Sequence, residues 1–314
     1  MKKMLRNYLR LLRPRQWIKN LAVFAAITFT GTLFDSLMFE KVFYGFLVFC
    51  AASSAIYIIN DIFDIKKDKL HPFKRFRPLA HGDISISVSL VIASVLAAVA
   101  ITGSFFIEPA FFLITIVYFI LQLSYSALLK HIAVIDILAL AGGYILRVYA
   151  GEMISGYHIS VWLLLTTISL SLFLAIGKRR SELTLISGYT SEQIAATRKS
   201  LSHYSERLLD VYASVFATST FISYSLFTFL ENARGMSITN DLFLPEFLPL
   251  YLKRKWLMIT VIPVVYGLMR YLQDIYEKKE GESPDRVLLS DRPLLFTVML
   301  WIVLVIGIIY FIGG

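Results

Sequence analysis

Long uninterrupted apolar stretches constrain this chain more than any other feature. A helix needs about 20 apolar residues to cross the hydrocarbon core of a bilayer, and 57% of the 314 residues are hydrophobic. Only α-helices and closed barrels satisfy every backbone hydrogen bond in lipid, and these stretches are too evenly apolar for barrel strands. The sequence therefore predicts an all-α polytopic membrane protein with nine transmembrane helices. They are expected at about 17–34, 42–62, 86–106, 110–128, 132–150, 160–177, 211–230, 256–276 and 294–312.

Positive charge is distributed unevenly among the predicted loops. Most of the 31 Lys and Arg residues precede the first apolar stretch or fall in loops 62–85, 178–210 and 277–293. Because cytoplasmic loops carry the excess of Lys and Arg, we predict a cytoplasmic N-terminus. We also predict that the protein is integral to the cytoplasmic (inner) membrane. These three loops are also the long polar ones, and we expect them to cap the active site of a single transmembrane domain, 1–314. Nothing in the sequence indicates nucleic-acid binding.

Sulfur and imidazole chemistry is not indicated. Cys50 is the one cysteine and lies in an apolar stretch, so the sequence has neither a disulfide framework nor a thiol metal site. The five histidines are scattered without metal-ligand spacing, and there is no Ser-His-Asp arrangement and no glycine-rich phosphate loop. Any chemistry has to depend on carboxylates, cations and a metal that prefers oxygen ligands.

The second apolar stretch ends in an acidic segment, NDIFDIKKD, which begins at Asn60. Asn60, Asp64 and Asp68 repeat every four residues. Asp61 and Tyr57 lie close to the same broad helix face. Like charges one turn apart destabilise an isolated helix by roughly 0.2–0.5 kcal/mol per pair, whereas a bound Mg²⁺ takes oxygen ligands and commonly adds phosphate oxygens. We therefore predict a Mg²⁺–phosphate site. The alternative is an ordinary charged loop whose lysines neutralise the aspartates.

Cations suited to phosphate follow in the same loop. Lys74, Arg75 and Arg77 lie within one short segment after the aspartates. Charge-assisted hydrogen bonds from such side chains hold phosphate oxygens strongly. We predict that this loop binds the phosphate groups of a substrate.

A second cationic cluster, in GKRRSEL, ends the sixth apolar stretch. Glu182 lies one turn after Lys178 and Arg179 and is placed to pair with them. The positive-inside rule and the helix macrodipole account for the same cations without any ligand. Phosphate binding and membrane topology therefore stand as two interpretations of this cluster.

Further polar residues approach the inner face from other stretches. Lys19 is explained by snorkelling, whereas Asn20 is not. Tyr125 and Lys130 come near the same surface from the fourth stretch and the loop after it. Arg147 lies deeper in the fifth stretch, and we expect it to be a structural charge inside the bundle rather than a catalytic group.

These motifs together resemble the UbiA prenyltransferase superfamily over nearly the whole chain. NDIFDIKKD matches its first aspartate-rich signature, NDxxDxxxD, which implies binding of Mg²⁺-diphosphate. The second acidic motif of its aromatic prenyltransferases, DxxxD, has no counterpart, because that place holds KRRSE. LRPRQWIKN, HPFKRFRP, GKRRSEL, RKSLSHYS and SPDRVLLSDRP resemble the decaprenyl-phosphate phosphoribosyltransferases of this superfamily.

The resemblance implies roles for individual residues. Asn60 and Asp64 would be the prime Mg²⁺ ligands, supported by Asp61 and Asp68 directly or through water, and the three aspartates would be the catalytic residues. It also implies phosphate or ribose contacts at Lys19, Tyr57, Lys74, Arg75, Lys178 and Arg179. With the residues argued above, the predicted substrate-binding set is Lys19, Asn20, Tyr57, Lys74, Arg75, Arg77, Tyr125, Lys130, Lys178, Arg179 and Glu182.

The implied activity is Mg²⁺-dependent transfer of phosphoribose from 5-phosphoribosyl 1-diphosphate to a membrane polyprenyl phosphate. Polyprenyl length, the later fate of the product and the oligomeric state, a homo-oligomer included, stay open. One alternative is an aromatic-acid prenyltransferase of the same superfamily, which the missing second acidic motif disfavours. The other is a transporter, which is disfavoured because the charges gather at one membrane face rather than at the midplane.

Overall fold

The computed structural model describes residues 2–70, 74–185, 199–230, 256–277 and 284–312, and within these ranges the chain is helical with no β-strand. The α-helices are α1 (Lys2–Leu12), α2 (Ala25–Phe29), α3 (Ser36–Leu70), α4 (Pro78–His81), α5 (Ile86–Ile107), α6 (Pro109–Ala127), α7 (Ile135–Ser155), α8 (Val161–Leu185), α9 (Glu206–Leu230), α10 (Val261–Glu277), α11 (Pro284–Ser290) and α12 (Arg292–Gly307). Segments of 3₁₀-helix lie at Pro14–Phe24, Lys74–Phe76, Leu129–His131, Lys199–His203 and Trp256–Thr260. The all-α prediction is confirmed.

Eight helices of the described chain are long and apolar enough to cross a bilayer. They run over Ser36–Lys69, Ile86–Ile107, Pro109–Ala127, Ile135–Ser155, Val161–Thr184, Glu206–Leu230, Trp256–Tyr276 and Arg292–Ile312. These match the second to ninth predicted stretches, and the protein is an integral membrane protein. The first predicted stretch is not one α-helix, since the 3₁₀ segment Pro14–Phe24 leads into the short α2. The count of nine is therefore not confirmed. The cytoplasmic N-terminus stays a prediction.

Tertiary contacts account for the irregular start of the chain. Trp17 Nε1 donates a hydrogen bond to Ser54 Oγ of α3 at 3.0 Å. On the other side, a Cβ at Gly151 of α7 would lie 1.9 Å from the carbonyl oxygen of Val23, so only glycine permits this approach. The segment is thus held by the backbones and side chains of two other helices, which an apolar pattern cannot reveal.

The helices group into two compact units. The first comprises Met1–Phe24, Glu40–Ile154 and Ser191–His203, and the second comprises Ala25–Phe39, Ser155–Thr190 and Tyr204–Gly314. The single domain capped by loops 62–85, 178–210 and 277–293 stays a prediction, and parts of those loops lie outside the described residues.

Each unit has a buried core. In the first, Leu11 of α1 packs with Ile58 of α3, Leu79 of α4, Ile84 just before α5, and Ala93 of α5. In the second, the cluster around α9 and α12 includes Tyr224, Phe227, Leu257, Val305 and Ile309. Tyr224 adds polar links, because its hydroxyl bonds Thr260 Oγ1 at 2.7 Å and accepts from Trp301 Nε1 at 2.8 Å.

The length of α3 positions the acidic segment. Asp35 Oδ1 accepts from the backbone N–H groups of Leu37 and Met38, which fixes the start of this helix. Its 35 residues extend about 52 Å at 1.5 Å per residue, and the hydrocarbon core is about 30 Å thick. The last turns, from Asn60 onward, are therefore the part of the helix that can leave the apolar layer.

Candidate functional site

The acidic segment is helical to its end, as predicted. Asn60, Asp61, Asp64 and Asp68 all lie on the last turns of α3. Asp61 and Asp68 are buried, with Asp61 only 3% exposed, while Asn60 and Asp64 are half-buried. One helix end thus presents two kinds of acidic environment.

Two arginines hold the buried carboxylates. Arg77 Nη1 donates to Asp61 Oδ1 at 3.0 Å and to Asp68 Oδ2 at 2.6 Å. Arg13, which lies 48 residues before Asp61, donates to the same Asp61 oxygen and stacks over the Tyr57 ring at 5.3 Å. Burial acts to lower the pKa of Arg13, but the charge of Asp61 and the hydrogen bond to it together outweigh burial and raise this pKa. The pair of buried acids is therefore matched by two fixed positive charges.

The half-buried pair has different neighbours. Lys130 Nζ lies 2.7 Å from Asp64 Oδ1, and Lys130 is only 3% exposed. The carboxamide of Asn60 has no hydrogen-bond partner among the residues that the structure describes. Asn60 and Asp64 lie one turn apart on one face, so an open amide oxygen stands beside a carboxylate that faces a single lysine.

The donor set fits Mg²⁺ that also binds phosphate. Within the described ranges, no three Asp, Glu, His or Cys side chains converge as a protein-only metal site requires. Mg²⁺ commonly uses one or two protein oxygens and completes its shell with water and substrate phosphates. Asn60 and Asp64 can supply such oxygens, whereas Asp61 and Asp68 already hold guanidinium groups. Metal binding by these four residues stays a prediction.

The cationic loop after α3 divides into two roles. Lys74, Arg75 and Phe76 form a 3₁₀ turn. Arg75 is exposed and stacks over Phe76 at 4.8 Å, without an ion pair to any described residue. Arg77 is instead engaged by the two buried aspartates. Of the predicted phosphate-binding arginines, the structure leaves Arg75 open to a ligand and gives Arg77 protein partners.

The 3₁₀ segment before α2 brings Lys19 to the first unit, which also contains the end of α3. Lys19 donates to Gln16 Oε1 and lies 5.9 Å from the centre of the Tyr144 ring. The Tyr57 hydroxyl lies 3.5 Å from the same Gln16 oxygen. Lys19 and Tyr57 were both predicted to bind substrate. They are 38 residues apart in the sequence and are joined through Gln16.

Asn20 takes part in a closed buried network. It is fully buried, and its Nδ2 donates to Ser53 Oγ at 3.1 Å. Arg147 Nε donates to Asn20 Oδ1 at 2.7 Å, and Arg147 Nη2 donates to Tyr118 at 3.1 Å. This agrees with the structural role expected for Arg147. Both ends of the Asn20 amide are occupied by protein partners, and substrate binding by Asn20 stays a prediction.

The second cationic cluster lies at the end of α8, in the second unit. Arg179 is fully buried and bonds Glu182, one turn on, as the spacing predicts. Arg180 bonds Asp210 at 2.8 Å and Glu206 at 3.0 Å, both on α9. Binding of substrate by Lys178, Arg179 and Glu182 stays a prediction, as it does for the buried Tyr125 of α6.

Sequence reasoning missed Arg13, Gln16 and Ser200. Arg13 was treated only as a topology charge, yet its backbone has φ of 54°, an uncommon value for a residue with a side chain. Ser200 is fully buried, and its Oγ bonds the Lys130 carbonyl oxygen at 2.9 Å. These residues lie in the motifs LRPRQWIKN and RKSLSHYS, which were the available signal. The hydrogen-bond partners of Arg13 and Ser200 lie far away in the sequence.

Comparisons with known proteins agree with this architecture. Decaprenyl-phosphate phosphoribosyltransferase from Mycolicibacterium smegmatis is 34% identical over 99% of this chain and 94% of its own length. The enzyme of that name from Corynebacterium glutamicum is 33% identical, with 96% of this chain and 86% of the relative covered. A solved UbiA homolog from Archaeoglobus fulgidus bound to DMAPP and Mg²⁺ superimposes with a TM-score of 0.70 at 20% identity, over 96% of this chain and 99% of that one, which shows a shared fold.

A sequence model of one family also matches this chain directly. It describes the UbiA prenyltransferase family and covers residues 21–290, which include the acidic end of α3 and the cationic end of α8. With this match and relatives above 30% identity over nearly full length, the chain belongs to the UbiA prenyltransferase family.

Proposed function

We propose that this transferase moves the 5-phosphoribosyl group from 5-phosphoribosyl 1-diphosphate to a polyprenyl phosphate and releases diphosphate, at the cytoplasmic face of the inner membrane. The names of relatives matched over 94% and 86% of their length support this reaction. The structural observation that carries it is the contrast between the end of α3, where the Asn60 amide is open and Asp64 faces Lys130, and the end of α8, whose side chains are mainly cationic. That contrast suits one Mg²⁺-diphosphate and additional phosphate groups.

The donor diphosphate would bind at the end of α3. A Mg²⁺ ion held by Asn60 and Asp64 would stabilise negative charge on the leaving diphosphate. Lys130 brings a positive charge to the same point, because its Nζ already lies 2.7 Å from Asp64. Arg75 is exposed in the adjacent turn and free to bind a phosphate oxygen. Arg13 and Arg77 keep Asp61 and Asp68 neutralised, and so prevent two further carboxylates from repelling the phosphates.

The reaction needs little proton transfer. The bond between the anomeric carbon and the diphosphate oxygen breaks, and its electron pair leaves with diphosphate. A new bond forms between that carbon and an oxygen of the lipid phosphate. Because this oxygen is already anionic, it attacks without a strong general base, and stabilisation of the departing charge is the main catalytic demand.

The acceptor is a lipid, and the fold offers apolar surface for it. Exposed large side chains occur along α5 and α6, including Val91, Phe106 and Leu113. Such side chains are normal where a helix faces hydrocarbon. The polyprenyl tail can remain in the bilayer while its phosphate reaches the charged end of the bundle.

The substrate pair is tested with purified protein in detergent. We expect that labelled 5-phosphoribosyl 1-diphosphate with polyprenyl phosphate and Mg²⁺ gives a ribosylated lipid and free diphosphate, detected by mass spectrometry. In parallel, a polyprenyl diphosphate is offered with 4-hydroxybenzoate or a naphthoate, and no prenylated aromatic product is expected.

Two results would overturn the proposal. Prenylated aromatic product without ribosylated lipid would restore the aromatic prenyltransferase alternative. No turnover of either pair, together with ion flux in vesicles, would favour the transporter.

A further inference from the structure

Two short turns from distant parts of the chain meet beside the acidic helix end. Lys199–His203 and Leu129–His131 are both 3₁₀ segments, and both belong to the first unit. Ser200 Oγ lies 2.9 Å from the carbonyl oxygen of Lys130 and 3.1 Å from Asp136 Oδ2. Ser200 and Asp136 are both fully buried. The single hydroxyl proton of Ser200 is therefore shared between two acceptors.

The same lysine contacts the proposed metal-binding face. Lys130 Nζ donates to Asp64 Oδ1 at 2.7 Å, and the lysine is buried. A chain of contacts thus runs from Ser200 to the main chain of Lys130 and on through its side chain to Asp64. The two links connect residues 70 and 66 positions apart, so no local sequence pattern contains them.

The turn that carries Lys130 depends on such outside support. It is only three residues long, and a 3₁₀ turn of that size makes few hydrogen bonds of its own. Val134, between this turn and α7, has φ of 68°, which is rare for a β-branched residue. Conformations of this kind persist where surrounding contacts determine them. Ser200 supplies a buried contact directly to the Lys130 carbonyl group.

A lysine side chain is flexible, so the position of its ammonium group depends on where its own main chain is held. Its four-carbon stem has many rotamers, and the ammonium group is a point charge without the fixed geometry of a guanidinium group. A small shift of the Lys130 main chain would therefore move Nζ away from Asp64. Asp136 aids Ser200, because its carboxylate orients the hydroxyl group and lies in the first turn of α7, where negative charge is favoured.

We propose that Ser200 is a positioning residue that, together with Asp136, sets the Lys130 main chain so that its Nζ stays on Asp64. The 199–203 turn is then part of the site, although none of its side chains has to touch substrate. This inference rests on the proposed function only for its kinetic consequence, since the contact itself exists without substrate.

The first test measures Lys130 without any substrate. The purified protein is treated with an amine-acylating reagent, and modification of each lysine is followed by mass spectrometry. We expect Ser200→Ala to raise the rate of Lys130 modification roughly fivefold to tenfold, as for a loss of about one hydrogen bond. Exposed Lys66 is the internal reference. The matched control is Ser202→Ala, because Ser202 is exposed on the same turn and its hydroxyl lies 3.3 Å from the neighbouring His203 ring.

The second test uses a double-mutant cycle on KM for the sugar diphosphate. Ser200→Ala should raise KM several-fold in the wild-type background and should add nothing in the Lys130→Met background, because coupled residues are not additive. If Ser200→Ala folds poorly, Ser200→Cys takes its place in the labelling test. Cysteine has nearly the size of serine but is a weaker hydrogen-bond donor, so the rate of Lys130 labelling should be intermediate.

Unchanged Lys130 labelling in a folded Ser200→Ala or Ser200→Cys protein would overturn the inference. Full additivity of Ser200→Ala and Lys130→Met would also overturn it, since Ser200 would then act through another group. A third outcome is that Lys130 is protected from acylation only when Ser200 is present, while the protein transfers no phosphoribose. That result supports this inference and counts only against the proposed function.

Discussion

The charged ends of α3 and α8 differ both in composition, one acidic and the other mainly cationic, and in how their ion pairs are built. At α3, buried Asp61 and Asp68 are held by arginines, and the nearly buried Lys130 holds Asp64. At α8, Arg179 pairs with Glu182 one turn away, whereas Arg180 reaches Glu206, which is 47% exposed.

The carboxylates paired with Arg77 are buried, whereas those paired with Arg180 are exposed or half-buried, although Arg179 beside it is fully buried. Buried ion pairs are costly to break because removal of one partner leaves an uncompensated charge. Exposed pairs contribute little and exchange readily. We infer that the buried ion pairs stabilise the α3 end more than the pairs of Arg180 with Glu206 and Asp210 stabilise the α8 end.

The largest expected effect tests the α3 end itself. Asp64→Asn removes the negative charge that faces Lys130 and should lower kcat at least about a hundredfold, comparable with the loss of one key electrostatic contact. Activity of the wild-type protein should also vanish in chelator and return with Mg²⁺. Transfer of labelled phosphoribose is the measurement.

Asp83→Asn is the matched control for that change, since Asp83 lies on the surface of the same unit beside His81. It should retain wild-type kinetics. Full activity of the Asp64→Asn protein would remove this carboxylate from the proposed chemistry.

A second pair of variants compares two arginines of one turn. Arg77→Gln leaves Asp61 and Asp68 short of a cation and should lower the free energy of unfolding by about 2–3 kcal/mol, less than for a fully buried pair because Arg13 remains. Arg75→Gln should cost less than about 0.5 kcal/mol, as at an exposed site. Thermal unfolding in detergent measures both. Equal stability of the two variants would show that the ion pairs of Arg77 do not stabilise the α3 end.

A smaller effect is expected at α8. Arg179→Lys keeps the positive charge but loses the planar guanidinium geometry, so KM for the sugar diphosphate should rise roughly fivefold to tenfold with orientation in the membrane unchanged. Arg207→Lys, at an exposed position of α9, is the control and should have no effect. If Arg179→Lys kinetics equal those of wild type, the cluster serves topology alone.

The smallest effect concerns the exposed partner of Arg180. Glu206→Gln should change the free energy of unfolding by less than about 0.5 kcal/mol, because surface ion pairs are screened and entropically costly. Denaturant unfolding measures the change against Arg77→Gln. A loss as large as that of Arg77→Gln would erase the proposed difference between the two helix ends.

Local spacing predicted two local features of the structure correctly. The helical acidic face of α3 and the pairing of Arg179 with Glu182 both follow from a repeat of three or four residues. Arg77 shows the limit of this reasoning. Its place after the aspartates predicted phosphate binding, which stays a prediction, and the spacing did not predict that the loop returns Arg77 to Asp61 and Asp68. Such a pairing depends on the path of the chain between the two segments.

The sequence alone determined the class of fold, because a bilayer admits helices of a certain length and the apolar stretches have that length. It also determined which face of α3 is acidic, because helical periodicity is a local property. The tertiary structure decided that residues 17–34 do not form one regular helix, since Ser54 and Gly151 hold the segment from outside. It likewise decided that Arg13, Lys130 and Ser200 meet at or behind the acidic end. These contacts join residues dozens of positions apart, and such pairings depend on how whole helices pack rather than on the order of neighbouring residues.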